Sequence, residues 1–411
     1  MDMIYKFYVP EGESKNAHQY LLKLFAKSQG LIVKLTDNTE DATFVELRSS
    51  FLNLASTKEI KIQDDRGVLQ FNNKPDYLAT AFYMLNCLQE YQGQPLDSLG
   101  RYPYSSSYQY RLGNIQDNIV QYCFDQLAVE YRIKGIKKKT QFFLTHDIDS
   151  VYGSILEDGF NVLKKGRFDI FFQMLFRVAM GRPDWLNMDK IIKLESEYDC
   201  KSVFYWIVNK GRINKREVNA DYKFHSKTIQ SQLELVQRKG FENGLHKSIS
   251  GDNFQDEISK FKVRPTGNRY HYLKFNLPDG FDAIEQAGLK LDASLGFAEE
   301  FGFRNSYGLP FVPYNLKTDA PYSFVEVPLH IMDATFFSYQ KKSPIEAGRE
   351  IIAFFERNCE NCVLSILWHN NFFTNYKFKG YLELYKSILS YIKDNNFSTI
   401  SQQEIIDQHS L

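Results

Sequence analysis

The sequence predicts a large parallel α/β barrel preceded by a smaller α/β domain. Three observations predict it. The chain has 411 residues, more than one hydrophobic core ordinarily serves. From Gln141 onward, short apolar runs alternate with helical patterns, which is how βα units read. Several Asp and His residues each end or closely follow one of those runs, where barrel chemistry sits.

Residues 1–135 mix short strand-like runs with a helix predicted over Tyr77–Tyr91, where Leu78, Phe82, Leu85 and Leu88 recur at helical spacing. A turn-rich passage from Asp97 to Tyr104 and a second helical segment from about 115 to 131 complete this domain. The basic stretch Lys134–Lys139 reads as a solvated linker. Residues 139–411 then supply the runs QFFLTHD, KSVFYWIV, GFENGLH, GNRYHYL, LKLDASLG, FVEVPLHI, VLSILWH and FSTIS. Seven or eight such units closing on themselves give a barrel related to the (β/α)8 type. Residues 150–188 interrupt the alternation for longer than an ordinary connection. They hold the helix FDIFFQMLFRVAMG behind Lys164, Lys165 and Arg167. Packing on the barrel, as a cap or a wall of the cleft, is the first expectation for it. A Phe-rich face with a basic edge also suits a membrane surface, so peripheral contact through about 164–180 is the second.

Composition narrows the function. Lys plus Arg and Asp plus Glu stand at 50 each, which removes a whole-molecule electrostatic case for nucleic acid. No stretch approaches the ~18 apolar residues of a spanning helix. The first residues lack a basic segment followed by an apolar run, and the five Cys (Cys87, Cys123, Cys200, Cys359, Cys362) are odd in number and sparse. A reducing compartment, the cytoplasm, is the expected location. Cys359 and Cys362 have half a zinc-site spacing, with no second pair near them in sequence. The 34 Phe and 26 Tyr are compatible with a sugar-stacking cleft.

Thr145-His146-Asp147-Ile148-Asp149 places two carboxylates one residue apart after an apolar strand. They share a face there and repel unless a cation or Arg neutralises them; a metal ligand beside a general base meets that need. His246 and His271 follow two further runs. One Asp and two His make the three-protein-ligand pattern of catalytic zinc, with positions left for water and substrate. His369, ending VLSILW, is on its spacing alone either a buried core His or a further catalytic group.

These segments resemble the polysaccharide deacetylases, carbohydrate esterase family 4, and more closely the bacterial members with a Thr-His-Asp-Val/Ile-Asp motif and an extra N-terminal domain. Five segments match in order across about 270 residues. The resemblance implies a distorted (β/α)7–8 barrel of polysaccharide deacetylase type, Asp147 as base, and Asp149 as metal ligand. His246-Lys-Ser-Ile-Ser250 matches the second motif with His246 as ligand, but its usual second His is Ser250. Either His271 replaces it, or an Asp and one His hold the metal with waters, or catalysis is lost. Arg269 matches the residue that holds the base, and Leu364-Ser-Ile-Leu-Trp-His369 implies His369 as general acid. Tyr272, Asp292, Ser294 and Arg304 are expected to line the substrate groove. The implied activity is metal-dependent removal of an N-acetyl or related acyl group from a saccharide or saccharide precursor, with zinc the expected metal. A lipid-linked or nucleotide-linked sugar of surface polysaccharide assembly is the expected substrate. A silent saccharide-binding or scaffolding barrel, and a hydrolase of a non-sugar amide, are the alternatives.

Overall fold

The computed structural model describes residues 4–11, 15–45, 67–71, 74–93, 95–214, 217–249 and 253–411. Its centre is a curled sheet in which eight strands follow one another in the order Val325–Glu326, Leu291–Asp292, Gly267–Tyr270, Glu242–Lys247, Ser202–Trp206, Gln141–Ile148, Val363–Leu367, Ile331–Met332. Every pairing along this path is parallel, and Ser398–Thr399 adds a further parallel strand beside the start of Gln141–Ile148. Helices connect the long strands, as parallel pairing requires. The architecture is that of a distorted (β/α)7–8 barrel.

The ring is closed by a chain crossing instead of strand pairing. Residues 327–330 run from one edge strand straight to the other. Val327 and Leu329 N–H groups donate to Asp292 and Leu295 carbonyls on the first edge, and His330 N–H donates to the Ser365 carbonyl on the second. The run FVEVPLHI, read in sequence as one strand, is therefore two short strands on opposite edges. Each is two residues long because Pro328 interrupts between them.

Alternation along Gln141–Ile148 separates two environments. Phe142 and Leu144 belong to an apolar cluster with Trp368 and Phe355. Phe143 belongs to another with Val203, Leu291, Val325 and Val363. Ile400 and Ile405 join this second cluster from the Ser398–Thr399 end. His146 falls on the first side, its ring held between the Trp368 carbonyl at 2.6 Å and buried Glu195 at 2.9 Å, whereas Thr145 and Asp147 fall on the second.

In the first 135 residues a three-stranded parallel sheet (Ile32–Thr36, Ile4–Tyr8, Phe44–Val45) meets the helices Lys15–Gln29, Tyr77–Leu85 and Ile119–Glu130. The helix expected over Tyr77–Tyr91 ends at Leu85. Asn86 turns its amide back onto the Phe82 carbonyl at 3.0 Å, Cys87 takes a left-handed φ of 50°, and a 3₁₀ turn follows over Leu88–Gln92. One apolar cluster runs from Phe7, Leu21 and Phe124 to Phe281, Tyr314 and Phe324, joining this region to the barrel. Polar ties cross as well: Tyr20 Oη donates to the Val312 carbonyl at 2.7 Å, and Tyr314 N–H donates to Asn86.

Residues 150–188 form two helices, Ser154–Lys164 and Phe168–Ala179. The second packs on the first, with Phe171 against Gly159, and Met174 is its one fully buried residue. No helix among the described residues is long and apolar enough to cross a membrane.

Candidate metal centre and active-site cleft

Asp149 follows Gln141–Ile148, His246 lies in Glu242–Lys247 and His271 follows the neighbouring Gly267–Tyr270, and the three converge at the C-terminal ends of these strands. His246 Nε2 lies 3.2 Å from Asp149 Oδ1 and 3.1 Å from His271 Nδ1, and His271 Nδ1 lies 3.6 Å from the same oxygen. The other ring nitrogens are committed. His246 Nδ1 sits 2.9 Å from the Arg269 carbonyl and His271 Nε2 sits 2.8 Å from the Val218 carbonyl. A carbonyl accepts only, so each of those nitrogens carries a proton and donates, and in the neutral rings it is the inward nitrogens that hold the free lone pairs. Asp149 Oδ1 is inaccessible and makes no hydrogen bond among the described residues.

Three acceptors that face one point repel. A proton there serves one acceptor at a time; a cation serves all three. Among the described residues this trio is the group of His, Cys, Asp and Glu side chains placed to hold a metal. Two imidazoles whose outer N–H groups are fixed by backbone carbonyls, with one carboxylate, fit a borderline divalent ion such as zinc. Burial alone raises the Asp149 carboxyl, but His271, His246 and His369 around it hold it well below the usual carboxylate range. Burial presses His271 down to about 4 despite Asp149, which leaves the ring neutral. Burial also acts to lower His246, where Asp147 and Asp149 outweigh it and raise the ring above its ordinary value.

Asp147 and His369 flank this trio in a cleft of ≈ 320 Å³ that all five residues line. Asp147 Oδ1 accepts from Arg269 Nη1 at 3.0 Å, and its Oδ2 lies 3.4 Å from His246 Nε2. Arg269 is fully buried. It also donates to Thr145 Oγ1 at 2.7 Å and the Ala293 carbonyl at 2.8 Å, with the Tyr205 ring beneath it. His369 Nε2 stands 3.7 Å from Asp149 Oδ2, and its Nδ1 is 2.7 Å from Asp333 Oδ1. Desolvation opposes its charge, yet Asp333 wins and lifts the imidazole to about 10.

Three supporting residues were not singled out from sequence. Asp333 directly follows Ile331–Met332, and the strand-end rule finds it once FVEVPLHI is divided. Asp221 accepts from the backbone N–H groups of Val151 at 2.9 Å and Tyr152 at 2.7 Å and from the Ser150 hydroxyl, which fixes the turn after Asp149. Arg101, from the first 135 residues, lines the cleft and donates to the Tyr272 carbonyl at 3.0 Å and to Tyr339 Oη at 3.2 Å. Tyr272 and Leu273 have φ of 58° and 54°, a strained turn beside His271 that Arg101 braces; no sequence signal marks that pairing.

Tyr272 lines the cleft against His271, with ring centroids 4.0 Å apart and the ring planes tilted by 39°. The other residues expected in the groove do not line it. Asp292 and Ser294 are fully buried and bonded to each other and to Asn268 and Tyr270. Arg304 is buried in an ion pair with Glu90, Nε to Oε1 at 2.9 Å and Nη2 to Oε2 at 2.6 Å, so it ties the two regions together. Trp206 and Tyr205 are both core residues. Ser250 lies outside the described residues.

A family of unknown function, DUF7033, matches residues 7–132. No curated protein matches. Solved structures similar to the chain include a candidate polysaccharide deacetylase from Mycobacterium smegmatis, at 12% identity and TM-score 0.42, covering 66% of this chain and 90% of that one. Others are the Bc1960 peptidoglycan N-acetylglucosamine deacetylase, at 12% identity and TM-score 0.35 over 65% and 88%, and BA3943 of Bacillus anthracis, a CE4 family pseudoenzyme, at 10% identity and TM-score 0.34 over 67% and 68%. At such identities a likeness of fold says nothing of substrate. Solved structures similar to this chain thus include polysaccharide and peptidoglycan deacetylases and a CE4 family pseudoenzyme.

Proposed function

We propose that the chain is a metal-dependent hydrolase that removes an N-acetyl or related acyl group from a saccharide or saccharide precursor. The observation that carries this reading is the convergence of Asp149 Oδ1, His246 Nε2 and His271 Nδ1 with their outer nitrogens already committed, beside a carboxylate and a charged imidazole in one cleft. His271 then takes the place of the second-motif His. Held by these three, a divalent metal, in this reading zinc, would supply Lewis acidity for the carbonyl and acidify a water.

The chain's own residues supply the rest. Asp147 is the base: its Oδ2 faces the trio, and Arg269 on Oδ1 holds it aimed. His369, charged by Asp333, gives its Nε2 proton to the departing amine, without which the amide re-forms. Tyr272 presents an aromatic face at the mouth for a sugar ring.

The test is acetate release by the zinc-loaded protein from N-acetylated sugars in free, nucleotide-linked and lipid-linked form, beside a small cyclic amide. The reading predicts release from at least one saccharide and none from His369→Ala. Release from the cyclic amide alone would move the substrate class. No release by a fully loaded protein would favour a saccharide-binding barrel.

A further inference from the structure

Eight of the nineteen exposed large apolar side chains among the described residues fall within residues 152–180. On Phe168–Ala179 the exposed members are Phe168, Phe172, Leu175 and Phe176, one stripe at i, i+4, i+7 and i+8. The opposite side carries Met174 into the protein and Phe171 onto Gly159 of the preceding helix. That helix exposes Leu156 at 79% and Phe160 at 65%, and Phe172 and Phe176 stand at 64% and 67%. At about 200 Å² per large side chain, these residues with Met180 leave roughly 800 Å² of apolar surface in water, above the ~300–600 Å² of a typical monomer's largest patch.

Cations stand at both ends of the exposed stripe. Lys164 and Lys165 precede it and Arg182 follows it; all three are exposed, and none has an ion pair among the described residues. The acids nearby are engaged: Glu157 by Lys377, Asp169 by Arg167 and Asp184 by Arg177. Asp158 is buried, bonded to Trp185 and Thr374. An apolar stripe between free cations complements a surface of anionic headgroups over acyl chains. A second copy would bring like charges together across a two-fold axis, and protein interfaces are depleted in Lys.

We propose that the hairpin 154–180 docks the protein on an anionic bilayer surface, lying in the headgroup region without crossing it. The hairpin starts five residues after Asp149, and its Glu157 lines the active-site cleft, so docking brings the cleft to headgroup level. A substrate met there is a lipid-linked saccharide; this last step rests on the hydrolase reading, whereas docking does not.

The test is co-sedimentation of the full-length, metal-loaded protein with vesicles of phosphatidylcholine alone or with about one third phosphatidylglycerol. Wild type is expected to pellet with the anionic vesicles and to be released by salt. Phe172→Glu with Phe176→Glu should abolish binding, and Lys164→Glu with Lys165→Glu should weaken it about tenfold or more, both at unchanged melting temperature. Should the Phe variant unfold, the Lys variant and the wild-type lipid comparison still decide. The proposal is overturned by absence of wild-type binding, by binding indifferent to the lysines and lipid charge, or by a wild-type dimer that the Phe variant dissociates. Because no turnover is read, failure here leaves the hydrolase reading standing, and an inactive protein that binds vesicles leaves docking standing.

Discussion

Asp147-x-Asp149 and Asp292-x-Ser294 both stand at the C-terminal end of a parallel strand, yet the first pair reaches the cleft and the second is sealed beneath it. The chain that follows makes the difference. After Asp149, Asp221 fixes the turn and residues 154–180 leave as a helical hairpin, so the mouth stays open. After Asp292, Ser294 folds back onto the carboxylate, Leu295 N–H donates to Glu326, and Arg304 donates to the Gly296 carbonyl. Charge follows the same division. Asp147 and Asp149 meet Arg269 and three imidazoles. Asp292 meets the carboxyl of Glu326: burial raises both, and Asp292 raises Glu326 further, so Glu326 keeps its proton. A strand-end carboxylate stays open to the cleft when cations face it and the next turn leads away.

The largest contrast should come from exchanging each Asp for its amide. Asp147→Asn is expected to cut turnover about 100- to 10,000-fold with metal content unchanged, while Asp292→Asn leaves turnover within about twofold; steady-state kinetics of the two sharpen or break the comparison.

Asp333→Asn comes next. The raised His369 keeps its proton through the neutral range, and its pairing contributes stability that is complete below the ordinary His value and lost as pH rises through about 10. Without the Asp333 charge the alkaline limb of kcat/KM moves to lower pH, and turnover falls by about 10- to 100-fold, the scale of a lost supporting contact. An unmoved limb would remove His369 as the acid.

Arg101→Ala should act more weakly, loosening the turn that carries His271. Zinc affinity, measured against a chelator, is expected to drop about tenfold, with Asp147-dependent chemistry retained in excess zinc. Arg304→Ala should affect the cleft least. It strands buried Glu90, so a stability loss of about 3–5 kcal/mol in denaturant titration with KM unchanged is the expected outcome.

The parallel barrel was legible because its strands are buried on both faces and read as apolar runs, and the strand-end rule located Asp147, Asp149, His246, His271 and His369. The site's supports were less legible. Asp333 was hidden by a run that the fold splits between opposite sheet edges. Arg101 and Asp221 act through backbone contacts at sequence distances of 171 and 70 residues, which no periodicity encodes. Asp292, Ser294 and Arg304 have the residue types of a binding groove, but their burial goes with distant partners, Glu326 bonded to the Leu295 N–H and Glu90 paired with Arg304.

Metal stoichiometry tests the central claim most directly. Elemental analysis of the purified wild type is predicted to give near one zinc per chain, lost in each of Asp149→Ala, His246→Ala and His271→Ala. A wild type that stays metal-free after reconstitution with zinc, or a His271→Ala protein that keeps its full complement, would contradict the account.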